Sequence, residues 1–485
     1  MRRSIAIVAC VALSVSGCQA SATPAPSASS AGLPSAPTKT QAAGPTSSAA
    51  ATSAGPSANG APAHWVEAGG SATGQLDHAV LLGDERVLVL SDVLEPPATS
   101  AQTWDPGTNA WRPTDGLNKY RSLYVAVPVA GGLALVTGGN NENGVSFSST
   151  HLFDPSTETW TKSGLLGTAR TSPSGATLKD GRVLVAGGYF VSGPASNIPP
   201  DALLAAFHPG GGLHDIDIPP FATAMATYEV FDPATGTWSP TGPMKYARLG
   251  APAVTLSDGR VLVFGSGGGD GSGITVDGGA FDSAEVYDPA TGKFSLAGTL
   301  PPYDAGAIQA KGVPNANPIP ASPAEIGPGT LVALPDGGAV LIGVDYYWKH
   351  QGDLTRSFRF DATTNIWSEI GETWAFIGEP TAVALVTDGV QNVAGSVAAA
   401  LPDRRVLVAG GSGPTTNGSY PGSEGTDIAR YYDPATNTWP DAPSMPAPTY
   451  GGSAISLADG SVFVFGGTVY GTDGDSPVAP SRFIP

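Results

Sequence analysis

Seven short apolar runs, most of them ending in glycine, are spread along the chain. They are rich in Val and Leu with few polar interruptions, which is typical of β-strands that are covered on both faces. The glycines at their ends allow neighbouring backbones to approach closely. The runs are residues 86–90, 133–139, 180–188, 258–265, 336–343, 405–411 and 459–467. Taken alone, this pattern predicts an all-β protein and does not distinguish between its architectures.

A second pattern follows six of these runs. An aromatic residue stands directly before an Asp-Pro turn, and a second aromatic residue stands directly after that turn. The copies are residues 103–111, 152–160, 230–238, 286–294, 359–367 and 431–439, and the fifth has Ala in place of Pro. Proline presets φ for the first corner of a hairpin turn, and Gly or Asn near its end tolerates a left-handed conformation. Only Glu158 departs from Gly or Asn at that position. Each copy therefore predicts a β-hairpin.

Together the two patterns resemble the kelch repeat, in which about 50 residues form one four-stranded blade of a β-propeller. The resemblance covers residues 63–485, and the arginine that the family places ahead of the glycine strand is present as Arg121, Arg170 and Arg248. It implies an all-β fold, a seven-bladed kelch-type β-propeller.

The chain has one glycine strand more than it has hairpins. The seventh strand is followed by residues 481–485, which repeat the start of a hairpin but stop before any Trp. A matching Trp, Trp65, stands at the other end of the repeat region. We therefore expect the N-terminal strand to complete the last blade and close the ring, which removes exposed sheet edges.

Residues 1–17 resemble a bacterial lipoprotein signal peptide. Arg2 and Arg3 precede an apolar stretch that is too short to span a bilayer, and the segment ends in Val-Ser-Gly followed by Cys18. The resemblance implies lipidation of Cys18 and a location in the cell envelope, facing the extracytoplasmic side. The alternative is an ordinary secretory signal with an incidental cysteine.

Residues 18–62 have the composition of a disordered linker, because almost all of them are Ala, Ser, Thr, Pro or Gly. The net charge of the chain is −18, so the protein repels nucleic acid and anionic lipid on average. We therefore expect no nucleic-acid partner, contact with the membrane only through the lipid anchor, and a monomer.

Kelch propellers include copper-radical oxidases, which resemble galactose oxidase and need a Cys cross-linked to a Tyr with further His and Tyr ligands. The only cysteines here are Cys10 and Cys18, so the propeller has none for that cofactor. We expect no cofactor and no metal.

Departures from the repeat are the candidate functional segments, since loops on a rigid scaffold often carry binding groups. The strongest candidate follows the fifth glycine strand and offers flat aromatic faces with polar edges, suited to a sugar or a peptide. Its residues are Tyr346, Tyr347, Trp348 and His350, with Trp374 nearby in sequence. The alternative is that these rings cover an irregular blade.

Two other departures are weaker candidates for metal binding. An insertion over 189–227 contains His208, His214, Asp215 and Asp217, without a known zinc spacing. A glycine-rich run over 267–279 contains Asp270 and Asp277, without the spacing of an EF-hand. Both patterns are more typical of plain glycine-rich loops.

The sequence therefore predicts a membrane-tethered extracytoplasmic propeller that binds a protein or glycan partner through loops around the channel mouth. The alternative is a cofactor-free carbohydrate-active enzyme resembling a kelch sugar epimerase or mutarotase, which would pair an acid and a base, for instance His with Arg or Glu. A purely structural envelope protein is the third hypothesis.

Overall fold

The computed structural model describes residues 62–69, 78–91, 100–117, 120–141, 144–191, 222–266, 280–302, 326–327, 329–346, 354–370, 396–411, 425–471 and 474–485. Regular structure in these ranges is β-strand, and they contain no helix with the length and apolarity needed to span a bilayer. The aromatic segment 347–350, Trp374, the two candidate metal-binding runs and Cys18 lie outside the described residues.

Seven antiparallel sheets, the blades, follow one another along the chain. Blade 1 contains β2 (His78–Leu81), β3 (Val87–Ser91), β4 (Ser100–Asp105) and β5 (Ala110–Thr114). Blade 2 contains β6 (Ser122–Val129), β7 (Leu133–Asn140), β8 (Ser149–Asp154) and β9 (Thr159–Leu165). Blade 3 contains β10 (Ser174–Thr177), β11 (Val183–Ala186), β14 (Thr227–Asp232) and β15 (Thr237–Pro243), with a separate hairpin of β12 (Tyr189–Val191) and β13 (Ala222–Ala224).

The remaining blades repeat this order. Blade 4 contains β16 (Ala253–Thr255), β17 (Val261–Phe264), β18 (Ser283–Asp288) and β19 (Lys293–Thr299). Blade 5 contains β20 (Ile326–Gly327), β21 (Thr330–Ala333), β22 (Ala339–Tyr346), β23 (Leu354–Asp361) and β24 (Ile366–Glu369). Blade 6 contains β25 (Ser396–Ala400), β26 (Val406–Gly410), β27 (Ala429–Tyr432) and β28 (Asp441–Ala442). Blade 7 contains β29 (Tyr450–Ser456), β30 (Val462–Gly471), β31 (Gly474–Pro477), β32 (Ser481–Ile484) and β1 (His64–Glu67).

The innermost strands form a closed ring. Each contacts the innermost strand of the next blade, in the order β2, β6, β10, β16, β21, β25 and β29, and β29 contacts β2 again. The second strand of every blade is the glycine strand found in the sequence, and its apolar residues are buried between neighbouring sheets. The fold is therefore a seven-bladed β-propeller, as predicted.

The N-terminal strand closes the last blade. β1 pairs with β32 so that Trp65 lies opposite Phe483, with ring centroids 5.1 Å apart. The Trp65 indole Nε1 donates a 2.7 Å hydrogen bond to the carbonyl oxygen of Pro443 in blade 6. The predicted closure by the two chain ends is confirmed.

The repeated aromatic residue at the end of each hairpin joins neighbouring blades. Trp160 of blade 2 donates from Nε1 to the Asp115 carbonyl oxygen at 2.6 Å, and Trp367 of blade 5 donates to the Ala297 carbonyl oxygen at 3.1 Å. In these two copies the ring fills the gap between two sheets while its N–H satisfies a backbone acceptor of the preceding blade. The Nε1 of Trp238 donates instead to Thr150 Oγ1 of blade 2, and the Nε1 of Trp439 is buried without a hydrogen-bond partner among the described residues.

The Asp-Pro turns have the predicted hairpin geometry. Asp232 accepts a 2.9 Å hydrogen bond from the Ala234 amide, and Gly236 has a φ of 66°. Glu158, the exception in the sequence pattern, also has a positive φ, 55°. This non-glycine residue adopts the left-handed conformation because the turn requires it.

Strand order divides the ring into two faces. The turns between the first and second strands and between the third and fourth strands lie on one side, here called the turn face. The connections between the second and third strands and between successive blades lie on the other side, the loop face. Gaps in the described residues within 78–485 fall only in loop-face connections. The turn face is therefore built of short regular turns, and the loop face contains the long, variable connections.

Candidate functional site

The aromatic segment predicted as a binding platform begins at the end of β22, which lies at the loop face. Tyr346 is the last residue of β22, opposite Leu354 of β23 and Ile326 of β20. Tyr347, Trp348 and His350 continue from it, and Trp374 is in the connection to the next blade, outside the described residues. The platform therefore stays a prediction, and its connection begins on the face with long loops.

The described residues place a different set of polar side chains on the loop face, around Arg121, Arg170 and Arg248. Arg170, fully buried, donates from Nη1 to the carbonyl oxygens of Gly187 and Thr227, each at 2.9 Å. Its Nη2 donates to Glu229 Oε1 at 2.8 Å. Glu229 is also buried and accepts a 2.6 Å hydrogen bond from the Gly167 amide at the end of the preceding blade. The ion pair thus joins strands of blade 3 to the connection from blade 2.

Blade 4 contains the same arrangement. Arg248 donates from Nε to Glu285 Oε1 at 3.1 Å and from Nη2 to Ser283 Oγ at 2.9 Å. Glu285 also accepts a 2.7 Å hydrogen bond from the Lys245 amide. Burial lowers the pKa of Arg170 and of Arg248, and the neighbouring glutamate opposes that shift in each case. Each cation is therefore charged and paired in the folded protein.

Blade 2 keeps the arginine but not the glutamate. Arg121 is 3% exposed, and it donates from Nη2 to Ser149 Oγ at 2.6 Å and from Nη1 to the Gly138 carbonyl oxygen. Its guanidinium lies over the Phe147 ring, 4.6 Å from the centroid. His151 takes the position that Glu229 and Glu285 occupy, three residues before the aspartate of the turn. Among the described residues, no carboxylate pairs with Arg121.

The presence of His151 in place of a glutamate determines the pKa values in blade 2. Burial lowers the pKa of Arg121 to about 10, so the side chain stays charged at neutral pH. Burial, followed by the charges of Arg121 and Lys162, lowers the pKa of His151 to about 4. The imidazole is therefore neutral at pH 7. Its Nδ1 is buried without a hydrogen-bond partner among the described residues.

Two aromatic rings extend this cluster towards the inner strands. Tyr124 on β6 lies near the Arg121 charge, and its ring centroid is 4.1 Å from that of His78 on β2. Burial lowers the pKa of His78 to about 4. We call Arg121, Tyr124, His78 and His151 the Arg121 cluster. It joins blades 1 and 2 with one net positive charge at neutral pH, so its chemistry favours an anion.

Sequence reasoning found Arg121 through the kelch resemblance and missed the other three members. A signal was present for His151, because Glu229 and Glu285 stand at the same place in two later repeats. No sequence pattern marks His78 or Tyr124, whose contact depends on how adjacent blades pack.

Comparison with known proteins supports the fold. No family model matches the chain. The Kelch-like protein terF of Aspergillus terreus is 26% identical over 310 residues, which cover 54% of this chain and 58% of that protein. The chain thus spans less than two thirds of the relative's length. A fungal alcohol oxidase solved in complex with copper aligns with a TM-score of 0.51 at 15% identity, over 87% of this chain and 76% of that one. At such identity the likeness concerns the fold alone.

The copper of that oxidase gives no argument for copper here. The two cysteines, Cys10 and Cys18, both precede the propeller. Within the described ranges no three His, Cys, Asp or Glu side chains come together as metal ligands. The residues present do not fit a copper-radical centre, and the expected absence of any cofactor stays a prediction.

Proposed function

We propose that this kelch-type propeller is a binding module of the cell envelope, held to a membrane by a lipid on Cys18, which takes a protein or glycan partner at its loop face. The observation that carries the proposal is the difference between the two faces. The turn face repeats one short turn design, while the loop face contains every long connection within residues 78–485. Rigid scaffolds commonly place recognition on such variable loops.

The point at which the chain enters the propeller supports this assignment. β1 begins at His64, opposite Ile484 at the turn-face end of β32. A tether ending at residue 62 therefore joins the propeller on the turn face. Residues 62–64, where the described chain enters, therefore lie away from the loop face.

Exposed apolar side chains on the loop face also support it. Phe190 of β12 is 36% exposed, and Leu165 at the end of β9 is 64% exposed. Hydrophobic and ring-bearing residues are the types that dominate binding energy in interfaces.

A cofactor-free carbohydrate-active enzyme is the second candidate. It is favoured by the Arg121 cluster, which brings histidine and arginine together. Both histidines are neutral at pH 7, so the cluster has no histidinium to act as the acid, and no carboxylate of the described residues pairs with Arg121. Binding is the function we favour.

The platform is tested by Tyr346→Ala and Trp348→Ala, with Ile366→Ala on the turn face as the matched control. A glycan microarray and binding to solubilised envelope proteins are read out after thermal melts of each variant. We expect lost binding with an unchanged melting temperature (Tm) for the first two variants only. A loss of about 3–5 kcal/mol of stability would instead assign the rings to the core of blade 5.

The anchor is tested separately with labelled palmitate. The label should enter the native protein and be absent from a Cys18→Ala variant. Equal labelling of both proteins would remove the lipid from the proposal without affecting the loop-face test.

A further inference from the structure

The backbone next to Arg121, Arg170 and Arg248 has the same conformation in all three blades. The residue two positions after each arginine has a left-handed conformation, with φ of 51° at Leu123, 51° at Ser172 and 56° at Gly250. This conformation is costly for a leucine, so blade 2 retains the geometry despite strain. Arg121 is therefore held in the same way as its two counterparts.

The charge around the arginines differs between the blades. Glu229 and Glu285 each supply a buried carboxylate to the guanidinium of their own blade. At the same position in blade 2, the neutral imidazole of His151 supplies none. An unpaired buried cation is costly, since desolvation is not offset by a nearby negative charge. The cost is removed if a carboxylate reaches Arg121 from another source.

We propose that Arg121 and His151 form a binding site for one carboxylate supplied from outside the chain, which takes the role that Glu229 and Glu285 have in the next two blades. The site lies on the loop face, and the proposal does not depend on the partner proposed above.

The chemistry of the site selects an anion over other ligands. Arg121 contributes a charged donor group, and the His151 Nδ1, buried without a described partner, donates once its tautomer carries the proton there. Lys162, opposite His151 on β9, adds positive potential. A cation would be repelled by these groups. A planar carboxylate matches the guanidinium, as it does in blades 3 and 4.

The first experiment titrates the full chain with sodium acetate against sodium chloride at equal ionic strength. The ring resonance of His151, assigned with a His151→Gln variant, should shift and saturate with acetate only. Tm should rise by about 3 °C at one hundred times the half-saturating concentration. Equal responses to both salts would indicate screening alone and overturn the proposal.

The second experiment restores the missing carboxylate within the chain. His151→Glu should raise Tm and abolish the response to acetate, because the new side chain fills the site as Glu229 does. Arg121→Met should also abolish the response. An acetate response that persists in both variants overturns the proposal.

A third experiment tests whether a glutamate of the chain itself already occupies the site. Glu142 belongs to the connection between β7 and β8, outside the described residues. If Glu142→Gln lowers Tm and strengthens the acetate response, that glutamate occupies the site in the native chain and an external carboxylate is not the ligand. An unchanged Tm and response supports the proposal.

Discussion

The two faces of the ring use arginine in opposite ways. On the turn face, an exposed or half-buried arginine joins one blade to the next hairpin turn: Arg86 of blade 1 donates to the Pro155 carbonyl oxygen and to Glu158 of blade 2, both at 2.7 Å. On the loop face, a fully buried arginine joins strands within its own blade and pairs with a glutamate. The first use recurs between blades 4 and 5, 5 and 6, and 7 and 1, and the second is altered in blade 2.

Two different arginine positions supply the bridges of the turn face. Blade 4 bridges to blade 5 from Arg260 of an Asp-Gly-Arg turn, with a 2.7 Å hydrogen bond to the Ala362 carbonyl oxygen. Blades 5 and 7 lack that arginine, and a strand residue takes its place: Arg359 donates to the Pro434 carbonyl oxygen at 2.7 Å, and Arg482 to that of Pro106 at 2.8 Å. Arginines at two different positions thus supply the same contact between blades, as expected for a structural contact. On the loop face, blade 2 instead has His151 where blades 3 and 4 have a glutamate, which indicates a different role for its arginine.

Loss of the closing strand should produce the largest effect, because both faces depend on the closed ring. Deletion of residues 19–69 removes β1 and Trp65, exposes the edge of β32, and should destabilise the domain by several kcal/mol from the lost aromatic alone. Deletion of residues 19–58 is the control and should leave Tm almost unchanged. Equal melting of the two truncated proteins would refute closure by β1.

Breaking one loop-face ion pair should have the next largest effect. Glu285→Gln leaves the Arg248 charge buried and unpaired, which should cost about 3–5 kcal/mol in denaturant unfolding. Arg121→Met removes a cation that has no carboxylate in the described residues, so its cost should be much smaller. A similar loss of stability in both variants would show that the charge of Arg121 is paired in blade 2 as that of Arg248 is in blade 4.

Acid should destabilise the propeller through two histidines of the loop face. The pKa of His78 and of His151 is about 4 in the folded protein and about 6.5 in the unfolded chain, so the unfolded chain binds more protons between these values. Stability is therefore full above pH 6.5 and falls as the pH drops towards 4, by on the order of 2 kcal/mol per histidine. Tm measured from pH 7.5 to 4 should fall less in a His78→Gln, His151→Gln double variant.

A single turn-face bridge should matter least. Arg260→Ala removes an exposed ion pair with Asp258 and one hydrogen bond to blade 5, with an expected cost of about 1 kcal/mol in denaturant unfolding. A loss as large as that of Glu285→Gln would contradict the contrast between the faces.

Sequence alone predicted most of the fold. Seven glycine strands, six Asp-Pro hairpins and the displaced Trp65 were enough for the blade number and for the closure, since each is a local pattern repeated at a fixed place. The interblade hydrogen bonds of Trp65, Trp160 and Trp367 were not predictable, because they depend on the packing of adjacent sheets. For the same reason, the contact between His78 and Tyr124 had no sequence signal, while His151 could have been found by aligning the repeats.

The most direct test of binding at the loop face is site-specific photo-crosslinking in cells that produce the protein. A benzoylphenylalanine replaces Phe190 on the loop face in one protein and Ile366, 61% exposed beside a hairpin turn, in the other. Illumination should give a discrete cross-linked species from position 190 and none from position 366. A cross-link only from position 366, or equal cross-links from both, would contradict the assignment of binding to the loop face.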